Sequence, residues 1–221
     1  MSLPGLTFEP NGVYLWDDFG ECANRWRVEF TSSLGQQRYK TPTFHSTAIS
    51  DHASLKTCIK LNALDRFTES KILDIHCQFG ESLARNAMFI PDFFLFKKID
   101  GVEEYVKAAC IDAHLKWAFA FEDIASHYAN NTVDDSLRAA VNKLFSELVA
   151  ENLYYGLITT YECWFFFARN KSNDLFVSRM LGLRDQEPNM VVALGFFFEF
   201  ATTSPFEKSE PTSKSDDPCA K

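Results

Sequence analysis

Two acidic residues in strongly apolar surroundings are the positions of this chain best suited to chemistry. Asp92 lies within residues 90–96 (IPDFFLF), and Asp112 lies twenty residues further along, within residues 109–117 (ACIDAHLKW). Each segment predicts a short buried strand, where a carboxylate is costly unless it is paired, hydrogen-bonded or bound to a metal. Two carboxylates on successive strands could hold one divalent cation between them.

Two basic side chains follow Asp112 on the same predicted strand. His114 and Lys116 point to the same face as Asp112, because side chains alternate along an extended strand. Lys116 lies two residues beyond His114 on the strand, displaced by roughly 6–7 Å. Its ammonium group must therefore reach back towards the carboxylates. A histidine with an ordinary pKa of about 6.5 is largely neutral at pH 7. Neighbouring carboxylates would favour protonation of His114 without a metal, and a bound metal would oppose it.

The elements that position these residues follow from hydrophobic periodicity and turn signals. An Asp-Gly turn at 98–101 favours a hairpin between the two strands that carry the acidic residues. A later helix has the apolar stripe Leu137, Val141, Leu144 and Leu148 at helical spacing. The predicted helices are 51–67, 119–128, 134–151 and one ending near 201. The predicted strands are 89–97, 105–113 with a continuation to 117 left open, 155–160, 163–168 and 175–178.

This order of elements predicts a mixed α/β (α+β) domain over residues 51–203. Its sheet begins with an antiparallel hairpin and continues through a helical crossover. Residues 1–50 are rich in turn formers and aromatic residues, and are predicted to wrap the domain as an irregular segment with a short helix near 19–30. From Ser204 to Lys221 the composition shifts to polar residues and proline, which predicts a disordered tail.

Composition limits the classes of function. The chain has 221 residues and a formal net charge of −8, which counts against tight, non-specific binding of nucleic acid but leaves room for a local basic cleft. No apolar run is long enough to span a bilayer. The absence of a leader pattern predicts an intracellular protein of the cytoplasm or nucleus. The six cysteines have no metal-ligand spacing, and most are expected to be reduced core residues.

Four motifs together resemble a known family. They are the Pro-Asp strand around Asp92, the acidic triplet that begins at Asp112, residues 154–165 (YYGLITTYECWF) and residues 189–194 (NMVVAL). This arrangement resembles the PD-(D/E)XK restriction-nuclease-like domain of the fungal crinkler-type effector proteins. The likeness covers about 89–203, and residues 154–165 are its most specific part. The resemblance implies a restriction-endonuclease-like mixed sheet flanked by helices. It also implies that the protein could be delivered into a host cell and act there.

The resemblance assigns metal ligands. Asp92 and Asp112 would hold Mg²⁺, with Mn²⁺ as a substitute, and the ion would activate water and stabilise charge on a phosphate. A third acidic ligand usually comes from the helix before the Pro-Asp strand, where Glu69 is favoured over Glu81.

The resemblance also exposes one departure, because His114 stands where the family has a lysine. Lys116 is one possible substitute. Lys143 is another, since it falls where the family has a glutamine on a helix, although it lies off the apolar stripe of its helix, which indicates solvent.

Three functions are consistent with these residues. The favoured expectation is a degenerate nuclease-like module that binds DNA or a protein partner without efficient cleavage, because the lysine is missing. The alternative is an active Mg²⁺-dependent DNA endonuclease. A third possibility is an unrelated scaffold or ligand-binding protein. The sequence leaves the oligomeric state undetermined.

Overall fold

One mixed β-sheet organises the part of the chain that the computed structural model describes, namely residues 8–33, 49–65, 77–81, 90–98, 104–115, 123–203 and 206. The strands are β1 (Val13–Leu15), β2 (Cys77–Glu81), β3 (Phe93–Lys98), β4 (Tyr105–Ala113), β5 (Tyr155–Thr159), β6 (Cys163–Arg169), β7 (Leu175–Val177) and β8 (Leu181–Gly182). They run in the order β1-β7-β6-β5-β4-β3-β2, with β8 paired to β6.

Helices cover both faces of this sheet. They are α1 (Phe19–Ser33), α2 (His52–Cys58), α3 (Ile124–Ala129), α4 (Asp135–Ala150) and α5 (Met190–Thr203), and a π-helical run (Ile59–Leu64) continues α2. The predicted mixed α/β class is therefore confirmed. None of the helices among the described residues is long and apolar enough to cross a membrane.

The connections match the predicted entry and crossover. Strands β2, β3 and β4 pair antiparallel in sequence order, and β4 then pairs parallel with β5. A parallel pair needs a crossover connection, which α3 and α4 supply here. The turn predicted at 98–101 lies largely outside the described residues, but the β3–β4 pairing itself is the expected antiparallel one.

Alternation along β4 divides the core into two layers. Ala109 and Ile111 point into a layer shared with α2 and α5, whereas Cys110 points into a layer shared with α4. Helix α4 begins at the N-cap Asp134, whose side chain accepts a hydrogen bond from the Leu137 N–H at 2.8 Å. The predicted apolar stripe of α4 is buried against the sheet, so the sequence of this helix decides which of its faces packs on the sheet.

The N-terminal region contributes more regular structure than predicted. Strand β1 joins the sheet through parallel pairing with β7, and α1 begins near the predicted start but extends to Ser33. Helix α1 packs against α5, where the Trp26 indole N–H donates to Glu199 at 2.6 Å. Phe206, in the segment predicted to be disordered, is 1% exposed and packs against Trp16.

The cysteines follow the prediction in part. Cys58, Cys110 and Cys163 are free thiols, and the first two are buried. Cys22 is disulfide-bonded, so the expectation of a reduced core thiol does not hold for that residue.

Candidate functional site

The two predicted acidic residues lie side by side at one edge of the sheet. Asp92 immediately precedes β3, and Asp112 is near the end of β4, with Phe93 and Ile111 paired next to them. The Ala113 N–H donates to Asp92 Oδ2 at 2.8 Å. The antiparallel hairpin thus brings together two carboxylates that are twenty positions apart in the sequence, as predicted for successive strands.

Asp112 faces helix α4 and is fully buried. Its Oδ1 accepts a hydrogen bond from the Lys143 ammonium group at 2.6 Å. Burial raises the pKa of Asp112, the Lys143 charge opposes that rise, and the Asp92 charge adds to it. The ion pair with Lys143 is therefore what makes a buried carboxylate tolerable at this position.

Lys143 is consequently part of the site, and the expectation that it faces solvent is wrong. Its side chain is 31% exposed, and its ammonium group lies 2.6 Å from Asp112 and 3.2 Å from Glu147 Oε1. Burial alone would lower the pKa of Lys143, but its interactions with Asp112 and, to a smaller extent, with Glu147 together outweigh burial and raise the pKa above its ordinary value. The Lys143 side chain therefore stays charged at neutral pH.

Glu147 completes this side of the site and was missed by the sequence reasoning. It lies one turn after Lys143 on α4 and is fully buried. Burial, and then the charge of Asp112, raise the pKa of Glu147 to about 9, so at neutral pH it is a carboxylic acid that can donate a hydrogen bond to Asp112. The sequence signal was its position between Leu144 and Leu148, two members of the apolar stripe.

His114 lies beside the same groups but remains uncharged. Burial lowers its pKa to about 4, and the Lys143 charge adds to this effect, while Asp92 acts in the opposite direction. The expected protonation by neighbouring carboxylates is therefore wrong, because burial and a nearby cation dominate. A neutral imidazole cannot supply the permanent positive charge of a lysine.

Helix α2 approaches Asp92 from the opposite side with two residues that the sequence reasoning did not single out. Lys56 Nζ lies 3.3 Å from Asp92 Oδ1, and His52 Nε2 lies 3.4 Å from Asp92 Oδ2. His52 Nε2 is also 3.0 Å from the Ala113 carbonyl oxygen. The two side chains share one face because they are four residues apart on a helix, which was the available sequence signal.

The remaining predicted site residues are not all described. Lys116 and Glu69 lie outside the described residues, so their proposed roles as a substitute lysine and a third ligand stay predictions. Glu81 is in β2, but its side chain is not among those that the structure describes, so its role as an alternative ligand also stays a prediction.

The site is balanced in charge. With Glu147 protonated and His114 neutral, two lysines (Lys56 and Lys143) face two carboxylates (Asp92 and Asp112) in ion pairs of 3.3 and 2.6 Å. Each carboxylate therefore has a protein cation, one near the surface and one in the interior.

The donor set fits Mg²⁺ in part. Carboxylate oxygens are its preferred protein ligands, and Mg²⁺ commonly uses only one or two of them together with waters and substrate phosphates. The second carboxylate oxygen of Asp112, Oδ2, is buried. Among the described side chains, protonated Glu147 is its one available hydrogen-bond donor. Within those same ranges, no group of three or more His, Cys, Asp or Glu residues could hold a metal ion. The arrangement fits a sparse magnesium site completed by water, and does not fit an all-protein cage.

Comparison with protein-family models, with curated proteins and with solved structures finds no match to this chain. The geometry and charges of the site are therefore the basis for assigning a function.

Proposed function

We propose that the chain is a divalent-metal-dependent phosphodiesterase acting on nucleic acid, with its catalytic lysine supplied by helix α4. The observation that carries the proposal is the Lys143 ammonium group 2.6 Å from Asp112, next to Asp92. The reason to expect a degenerate site was the histidine in place of a lysine on β4. A lysine from another element brings the missing charge to the same carboxylate.

Each residue has a defined role in this proposal. Asp92 and Asp112 would hold Mg²⁺, which when bound supplies a Lewis acid and lowers the pKa of a coordinated water. Lys143 provides a permanent positive charge that can orient the attacking water and stabilise charge on the phosphate. Neutral His114 adds a polar ring to the site without adding charge. Protonated Glu147 keeps a second negative charge away from the buried Asp112.

The test is cleavage of plasmid DNA, linear DNA and RNA with Mg²⁺, Mn²⁺ or EDTA. Asp92→Asn keeps an oxygen that can accept from the Ala113 N–H, so it removes a ligand charge with little change of structure. Lys143→Met removes the ammonium group, and Lys171→Met is a matched control at an exposed turn. We expect a loss of about a hundredfold or more in both site variants, the usual scale for a positioned catalytic group. Folded Lys143→Met protein that cleaves like the wild type would refute the assignment of the lysine.

A second function is favoured by a different observation. Both carboxylates are already paired with lysines, at 2.6 and 3.3 Å, as in a structural ion-pair network. This arrangement supports a nuclease-like module that binds nucleic acid or a protein without cutting. Such a module predicts no cleavage by well-folded wild-type protein and no rise in melting temperature on addition of Mg²⁺ or Mn²⁺.

A further inference from the structure

A row of basic side chains lies along one face of α2 and the π-helical run that follows. His52, Lys56 and Lys60 are spaced at four-residue intervals. Four residues of α-helix rise about 6 Å, so successive members of the row lie about one helical turn apart. Runs of π-helix are uncommon and often accompany functional sites.

The basic row is partly exposed to solvent, and two of its three members, His52 and Lys56, border Asp92. The side chains of His52, Lys56 and Lys60 are 51%, 28% and 42% exposed, whereas that of Asp92 is only 11% exposed. Lys56 and His52 both lie within 3.4 Å of an Asp92 oxygen. A molecule that approaches Asp92 from the α2 side therefore passes these side chains first.

The present partners leave two members of the basic row able to turn towards a ligand. The Lys60–Asp65 pair (3.2 Å) joins partly exposed side chains, and ion pairs of this kind contribute little to stability. Lys56 pairs with the buried Asp92 at 3.3 Å, but Asp92 also accepts a hydrogen bond from the Ala113 N–H at 2.8 Å, which remains when Lys56 turns away. Both lysines can therefore exchange or share their carboxylate partners with phosphate oxygens.

We propose that His52, Lys56 and Lys60 form a phosphate-contacting row that holds the backbone of a nucleic-acid strand next to Asp92. The inference deepens the proposed function by naming where the substrate strand lies. It specifies backbone contacts only, so binding should be independent of sequence and weakened by salt. The net charge of −8 predicts modest affinity, with attraction confined to this face.

The experiment measures binding of a fluorescent single-stranded oligonucleotide in EDTA, so that cleavage does not contribute. The proteins are the wild type, the triple variant His52→Gln/Lys56→Gln/Lys60→Gln, and the control Lys107→Gln/Lys171→Gln, which removes two lysines elsewhere. We expect at least a tenfold loss of affinity for the triple variant alone. The slope of log affinity against log salt should fall by about 0.7 for each lost phosphate contact.

Two results would overturn this inference: no binding by the wild type, or equal affinity and salt slope in the wild type and the triple variant. Competition by polyglutamate as effective as that by an oligonucleotide of equal charge would also overturn it, in favour of an acidic protein partner. Cleavage is scored separately. If binding depends on the basic row but the protein does not cleave, the proposed phosphodiesterase activity is refuted and the phosphate-contacting row is retained. If the protein cleaves and the triple variant cleaves equally well, the row is refuted and the phosphodiesterase activity is retained.

Discussion

The buried carboxylic acid of Glu147 makes the stability of this protein depend on pH in a way that can be worked out from the structure. Its pKa is about 9 in the folded protein, against an ordinary value of 4.5. Between these values the folded chain holds a proton that the unfolded chain has released. Stability contributed by this proton is fully present below the unfolded pKa and is lost as pH rises towards the folded pKa.

His114 acts in the opposite direction at lower pH. Its folded pKa of about 4 lies below the ordinary 6.5, so the unfolded chain binds more protons there and stability increases with pH through that interval. The two effects nearly cancel between about 4.5 and 6.5. Above pH 6.5 the His114 effect is gone, and Glu147 contributes a limiting slope of about 1.4 kcal/mol per pH unit.

The perturbation is Glu147→Gln, which keeps a neutral side chain with one donor for Asp112 and one acceptor for Lys143. From pH 6.5 to 8.5 the wild type should lose about 1 to 3 kcal/mol of unfolding free energy relative to this variant. Urea unfolding at pH 6.5, 7.5 and 8.5 in EDTA measures the difference. Glu151→Gln makes the same substitution at an exposed residue where α4 ends, and should keep the wild-type slope.

A Glu147→Gln protein whose stability declines with pH as steeply as that of the wild type would refute this reasoning. Glu147 would then be ionised in the folded state, and Lys143 would be shared between two carboxylates.

Three further predictions concern the scaffold around the site. Asp134→Ala removes the N-cap of α4 and should cost about 1 kcal/mol in urea unfolding. Gly156→Ala places a Cβ 2.9 Å from the buried Leu144 and should cost about 1 to 3 kcal/mol, whereas Gly182→Ala, with its nearest neighbour at 3.5 Å, should cost less in the same assay. Reductant should lower the melting temperature by breaking the Cys22 disulfide, with a loss of about 2 to 5 kcal/mol of unfolding free energy. An unchanged melting temperature, together with a thiol count that finds Cys22 already reduced, would contradict the disulfide.

Much of the fold is determined by local sequence. The narrower of the two predicted ranges for β4, 105–113, is that of the structure, and α4 differs from its predicted range by one residue at each end. These elements have strong apolar periodicity and clear caps or turns, which act over a few residues and need no knowledge of distant partners. The proximity of Asp92 and Asp112 was also accessible, because antiparallel pairing of two consecutive strands places the start of the first next to the end of the second.

The tertiary structure decided which other groups join those two carboxylates. Lys143 and Glu147 reach Asp112 only because the crossover lays α4 over β4, and His52 reaches Asp92, which lies forty positions further along the chain. A sequence pattern gives the apolar face of a helix, but it does not say which strand that face will cover. The protonation of His114 and Glu147 likewise depends on burial and on charges brought close by folding, and these are properties of the packed site rather than of any segment.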